Sequence, residues 1–170
     1  MMRKVSYCSR SFPLKKAFRI SRGEKNSADV VTVELIEGGL MGRGEAMPYA
    51  RYGESVESVL EQIDAIKNDL QNGTDKVNLN TLLPPGAARN AIDCALWDLE
   101  SKIKDTPVWE LLKREEPKNV KTAITISLDK PEIMANDVTS YGKHQLIKIK
   151  LNSKSVLESV SRIRSVAPHA

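Results

Sequence analysis

The apolar residues of this chain follow one rhythm up to about residue 117 and another after it. Residues 3–12 and 30–36 are rich in strand-forming side chains. Glu37-Gly38-Gly39 is a turn signal, and residues 40–46 then return as a partner strand. This predicts an N-terminal antiparallel sheet. Ser21-Arg22-Gly23-Glu24-Lys25-Asn26-Ser27 is polar throughout and reads as a loop between strands. From Glu54 to about Leu70, Val56, Val59, Leu60, Ile63, Ile66 and Leu70 form the stripe of a helix that starts near Gly53 or Ser55. Pro84-Pro85-Gly86 interrupts. Ala88, Ala91, Ile92, Ala95, Leu96, Leu99 and Ile103 then recur at helical spacing, and so many alanines predict a buried helix that lets its neighbours come close. A short helix over about Val108–Lys113 follows Pro107.

Beyond Pro117–Asn119 the order becomes strand (Val120–Leu128), helix (Pro131–Tyr141), strand (Leu146–Leu151) and helix (Ser153–Val166). Strand–helix alternation of this kind marks parallel βα units. The expected organisation is therefore an α+β domain over residues 1–117 and two βα units over 118–170. Two such units cannot close a barrel, which needs eight.

The second of these strands carries the strongest chemical signal. In Leu146-Ile147-Lys148-Ile149-Lys150-Leu151, period-two alternation puts Ile147, Ile149 and Leu151 on one face and Leu146, Lys148 and Lys150 on the other. Adjacent ammonium groups disfavour each other's protonation, which is one way to make a lysine basic near neutral pH. A Lys-x-Lys face is ordinarily just solvated. Strands in parallel βα arrays, however, usually have both faces buried, so a cationic face fits a strand that lines a barrel lumen. Lys150 stands nearer the C-terminal end of the strand, where barrel active sites lie. Thr125 in the preceding strand is either an ordinary β-branched residue or a polar group at the same mouth.

Composition narrows the partners. The 170 residues are 41% hydrophobic and 28% charged, which is globular. Net charge is only +4 and aromatics are 5%, without the basic cluster and interleaved aromatics of a nucleic-acid binder. No apolar run approaches the ~18 residues of a membrane span, and Met1-Met2-Arg3-Lys4 leads into no signal-peptide core. The expectation is a cytoplasmic protein that binds neither nucleic acid nor membrane. Cys8 and Cys94 fit no metal spacing and read as structural thiols in a reducing compartment.

Other motifs are weaker. Gly42-Arg43-Gly44-Glu45 lacks the helix and Lys-Ser/Thr of a phosphate loop. Its glycines mark a bulge or a close backbone approach, with Glu45 a candidate buried carboxylate. Arg22 and Lys25 are either solvated loop charges or part of a loop that closes over a substrate carboxylate. Arg51-Tyr52-Gly53-Glu54 is a similar polar turn. Asp93 and Asp98 lie on different helix faces, and His144 and His169 are isolated, so neither pair makes a metal site.

Together, Arg22-Gly23, Gly42-x-Gly44-Glu45, the run Pro48 to Ser55, the run Pro85 to Leu99 and Lys148-Ile149-Lys150 resemble the enolase superfamily. Within it the chain is similar to the muconate-cycloisomerase subgroup and its L-Ala-D/L-Glu dipeptide epimerases. The resemblance implies an α+β capping domain followed by the first two βα units of a TIM-type (β/α) barrel. It also implies removal of a proton α to a carboxylate, with Mg²⁺ stabilising the enolate. By position, Lys150 would be a general base and Lys148 would tune it. Thr125, Arg22 and Lys25 would contact a dipeptide with an acidic C-terminal residue. The family's metal carboxylates and opposing lysine belong to later barrel strands, so this chain is expected to be an inactive N-terminal portion with no metal ligands. A non-catalytic chain that self-associates or is complemented at its last strand is one alternative. An o-succinylbenzoate synthase or cycloisomerase type is another.

Overall fold

In a computed structural model describing residues 2–170, the chain divides into two compact units. Residues 2–12 with 28–117 form the first, and Pro13–Ser27 with Lys118–Ala170 form the second.

The first unit is built on three strands in the order β1-β2-β3, with β1 at Lys4–Ile20, β2 at Gly23–Glu37 and β3 at Leu40–Ala46. β2 and β3 pair antiparallel, with Val31 opposite Ala46, Val33 opposite Gly44 and Leu35 opposite Gly42. Fully buried large side chains on β2 thus face the smallest possible ones on β3. The space saved is taken by helix α4, Ala87–Ile103. A Cβ on Gly44 would lie 1.9 Å from the Ala91 carbonyl oxygen, and one on Gly42 would lie 2.3 Å from that of Ala95. Glycine is therefore required on the strand, and alanine suits the helix. The expected close approach is present. Glu45 is exposed, because the alternation that turns Gly44 and Ala46 inward turns Arg43 and Glu45 out, so it is no buried carboxylate.

Glu54 has that structural role instead. It accepts hydrogen bonds from the backbone amides of Ala87 (2.6 Å) and Tyr49 (3.3 Å), satisfying one of the orphan donors at the start of α4. The helix predicted over Glu54–Leu70 is two helices, α1 (Val56–Ala65) and α2 (Lys67–Gln71), jointed at Ile66. Its stripe is continuous across the joint, with Val59, Ile63, Ile66 and Leu70 buried. Ser55 caps α1 in a reciprocal pair with Ser58. Helix α3 (Lys76–Leu82), capped by Asp75, was not anticipated from the pattern. Ile103, expected in the core, is 49% exposed at the end of α4. A one-turn helix α5 (Val108–Leu111) follows Pro107. Cys8 and Cys94 are free and exposed, not packed.

The second unit contains the two βα units. β4 (Ile124–Ile126) and β5 (Ile147–Ile149) pair parallel, with α6 (Pro131–Ser140) after β4 and α7 (Val156–Val166) after β5. Both strands are shorter than predicted. Its small core is Ile126, Met134, Val138 and Ile163, with Ile124, Ile147, Ile149 and Leu151 packed against it. The tip of the β1–β2 hairpin belongs to this unit. Residues 21–27, read from sequence as a loop, are a turn at Ser21-Arg22 followed directly by strand. Polar side chains there alternate along an exposed ribbon, and composition alone does not separate such a ribbon from a loop.

Candidate active site

The facing of β5 decides what the paired lysines can do. Ile147, Ile149 and Leu151 pack against Met134 and Val138 of α6 and Ile163 of α7. Alternation then puts Lys148 and Lys150 on the face away from the helices. Lys148 is exposed and Lys150 half-buried. Helices cover one side of a parallel βα sheet, and the side they leave is the one that lines the lumen when such a sheet curls closed. The lysines are on that side.

The register brings Thr125 to them. Ile124 pairs with Ile147, Thr125 with Lys148 and Ile126 with Ile149, and the Lys150 amide donates to the Ile126 carbonyl at 3.0 Å. In a parallel ladder, paired residues share a face, so Thr125, Lys148 and Lys150 form one polar patch. The physical cause is local. Isoleucines at every second position must reach the helices, which leaves only the alternate positions for chemistry.

Two residues on from Thr125, Ser127 follows the C-terminal end of β4 and meets the hairpin tip. Its Oγ accepts from the Arg19 amide at 2.6 Å and lies 3.3 Å from the Ala17 carbonyl oxygen. The Leu128 amide donates to the Arg19 carbonyl at 3.0 Å. The Arg19 guanidinium bridges Glu24 (2.5 Å) and Asp129 (2.9 Å), and Lys16 pairs with Asp137 of α6. The Arg19 hydrogen bond holds the Glu24 carboxyl below the usual carboxylate range, and Asp137 raises the Lys16 ammonium above its usual value. None of Arg19, Ser127 or Asp129 was singled out from sequence. The available signal was Ser127, two residues beyond Thr125 on one strand.

Arg22 occupies the turn of this hairpin and Lys25 lies on β2 just beyond it, both exposed. The structure brings Thr125, Lys148 and Lys150 together on the sheet. It carries Arg22 and Lys25 on the neighbouring ribbon, docked to the end of β4 through Arg19 and Ser127. Among the described residues no three His, Cys, Asp or Glu side chains cluster as a metal site, and no helix is long and apolar enough to cross a membrane.

Residues 2–113 match the family model of the mandelate racemase / muconate lactonizing enzyme N-terminal domain. The chain is 40% identical to the L-Ala-D/L-Glu epimerase of Escherichia coli K12 over 171 aligned residues, covering 99% of this chain and 53% of that protein. Its fold superposes with TM-score 0.93 and 38% identity on an enolase family member from Agrobacterium tumefaciens, described as homologous to dipeptide epimerases and holding sodium and L-Ala-L-Glu. That match covers 99% of this chain and 52% of the other. A dipeptide epimerase from Enterococcus faecalis, complexed with Mg and L-Leu-L-Tyr, superposes with TM-score 0.83 at 28% identity, covering 98% and 51% of the two chains. The chain thus spans about half the length of the relatives it matches. With a family model matching more than half of its residues, the chain belongs to the mandelate racemase / muconate lactonizing enzyme family of the enolase superfamily.

Proposed function

We propose that this chain forms the capping domain and first two barrel units of a dipeptide epimerase acting on L-Ala-L-Glu or a close analogue. The observation that carries this reading is the shared face of Thr125, Lys148 and Lys150 opposite the helix-covered isoleucines. Lys150, near the C-terminal end of its strand, is the proposed base that takes the α-proton of the glutamyl residue. Lys148, two residues back on the same face, places a second positive charge beside it. That charge attracts the substrate carboxylate. Thr125 offers a hydroxyl to a substrate oxygen, and Arg22 or Lys25 is the proposed partner of the glutamate side chain. The family implies Mg²⁺. The described residues provide no carboxylate cluster to hold it, so no step on this chain is assigned to the metal. Inversion at carbon also needs a base on each face, and this strand supplies one.

Two measurements test the reading. Titration of the ¹⁵N-labelled chain with L-Ala-L-Glu is expected to move amide signals of residues 22–25, 125, 148 and 150. L-Ala-L-Ala should leave those of residues 22–25 in place. Equal responses to both dipeptides would remove the acidic-substrate assignment. In D₂O, the purified 170-residue chain with Mg²⁺ is expected not to exchange the glutamyl α-proton. Metal-dependent exchange would overturn the claim that the remaining groups lie outside these residues.

One observation favours a second reading, association through the last βα unit. Leu157 is 86% exposed, and Val156, Val160 and Val166 on the same helix are also exposed, while β5 pairs only with β4 among the described residues. Light scattering showing a clean monomer at high concentration would dispose of it.

A further inference from the structure

We propose that Arg19 is a positioning residue that fixes the Arg22–Lys25 segment with respect to the end of β4, and so acts on substrate choice without touching substrate. This rests on the reading above for what that segment selects, but the latch itself is seen in the structure. Three kinds of interaction converge on this one residue. Its amide donates to Ser127 Oγ at 2.6 Å, and its carbonyl accepts from the Leu128 amide at 3.0 Å. Its guanidinium spans Glu24 on β2 and Asp129 on the loop after β4. Each end of that span is anchored again. Glu24 accepts from Asn26 at 3.3 Å, and the second Asp129 oxygen accepts from the Lys130 amide at the entry to α6, at 2.8 Å.

The geometry has a directional consequence. Ser127 follows β4 directly, two positions after Thr125, so a ribbon bonded to Ser127 is held close along the chain to the polar patch. Arg19 and Glu24 lie on either side of the Ser21-Arg22 turn, so their ion pair also ties one strand of the tip to the other. A lysine at 19 would keep the charge but lose the fork that reaches two carboxylates at once. Exposed ion pairs are individually weak. The latch therefore works as a set, through two backbone-level bonds to β4 with the guanidinium bracing them. It is poised to hold a ribbon whose own side chains are exposed.

The test uses the whole chain and begins without substrate. Asp129→Asn keeps an acceptor for the Lys130 amide and removes the charge facing Arg19. Ser127→Ala removes the hydroxyl. Both are expected to speed amide hydrogen exchange over residues 19–26 by about threefold to tenfold while leaving α4 unchanged, with Arg19→Lys intermediate. Unchanged exchange in the tip overturns the latch. Uniform acceleration through α4 also overturns it, because the variants would then report general destabilisation. The second arm repeats the dipeptide titration. With L-Ala-L-Glu, Asp129→Asn is expected to weaken the responses at residues 22–25 more than those at 148 and 150, with Arg19→Lys intermediate between it and the unaltered chain. Equal weakening at both sets overturns the positioning role. If the unaltered chain shows no dipeptide response while the exchange result holds, the substrate reading fails. The role in substrate choice fails with it, and the latch remains only as a structural brace.

Discussion

The two units of this molecule put their buried side chains to different ends. In the first, seventeen described residues form one buried cluster around β2, β3, α1 and α4. In the second, four described residues form the buried cluster, and β4 and β5 are three residues long. The difference follows from what each sequence gives up. On β3 even the inward positions are reduced to glycine so that α4 can close on the sheet. On β4 and β5 the positions between the isoleucines go to Thr125 and Lys148, and Ser127 and Lys150 follow directly, leaving one face to packing. α7 even buries Ser159, whose hydroxyl has no hydrogen-bond partner among the described residues, a feature that costs stability. Stability is concentrated in one unit and candidate chemistry in the other.

The largest effect that would break this contrast is at Gly44. A Cβ there meets backbone atoms of α4, at 1.9 Å from Ala91 and 2.7 Å from Ala95, and no side-chain rotation relieves it. Gly44→Ala is expected to cost about 3 kcal/mol or more, at the upper end of overpacking effects. Gly23→Ala, in the hairpin of the second unit, meets nothing within 4 Å and should stay within about 0.5 kcal/mol of the unaltered chain. Thermal denaturation followed by circular dichroism measures both. A tolerated Gly44→Ala would mean that the strand–helix contact is not what holds the first unit.

How much of this could be read from sequence follows the same division. The close approach of β3 and α4 was legible because glycine at every second strand position and alanine at helical spacing have one simple joint explanation. The facing of Lys148 and Lys150 was legible because alternation fixes faces without knowledge of the rest of the fold. The hairpin tip was not. Arg19, Glu24 and Asp129 are spread over more than a hundred residues, and their meeting depends on a tertiary docking that no local period encodes. The joint at Ile66 was hidden because the apolar stripe runs straight through it. Glu45 was misread for want of the strand register, which places it outward and leaves Glu54 to serve α4.

A smaller effect asks whether the units unfold separately. Met134 is fully buried in the core of the second unit and Ile63 in that of the first. Truncation to alanine at either costs about 2–5 kcal/mol at its own site. Met134→Ala is expected to accelerate amide exchange through α6 and α7 and leave α4 protected. Ile63→Ala should release α4 along with α1. If Met134→Ala exposes both units equally, the chain is a single cooperative body and the contrast is one of composition only.

The smallest expected effects are on pH dependence, and they sharpen the picture of the first unit alone. Burial pushes the Asp98 carboxyl up, but hydrogen bonds from the Lys102 ammonium and the Arg43 amide outweigh it, so the group titrates below the usual carboxylate value. A depressed carboxyl stabilises the fold above its unfolded pKa, and the contribution disappears as pH falls through the folded value. Tyr7 has the opposite sign. Its hydroxyl donates to Asp64, and that bond, helped by burial and the carboxylate charge, pushes the phenol up to about 12. The contribution is complete below the ordinary phenol value of about 10 and is lost as pH rises towards 12. Asp98→Asn should therefore flatten the acid limb of the stability curve, and Tyr7→Phe the alkaline limb. Both groups are partly open to solvent, so the shifts in midpoint should be well below those at Gly44 or Ile63. If Tyr7→Phe left the alkaline limb as steep as in the unaltered chain, the hydrogen bond to Asp64 would not be what holds the phenol protonated in the fold.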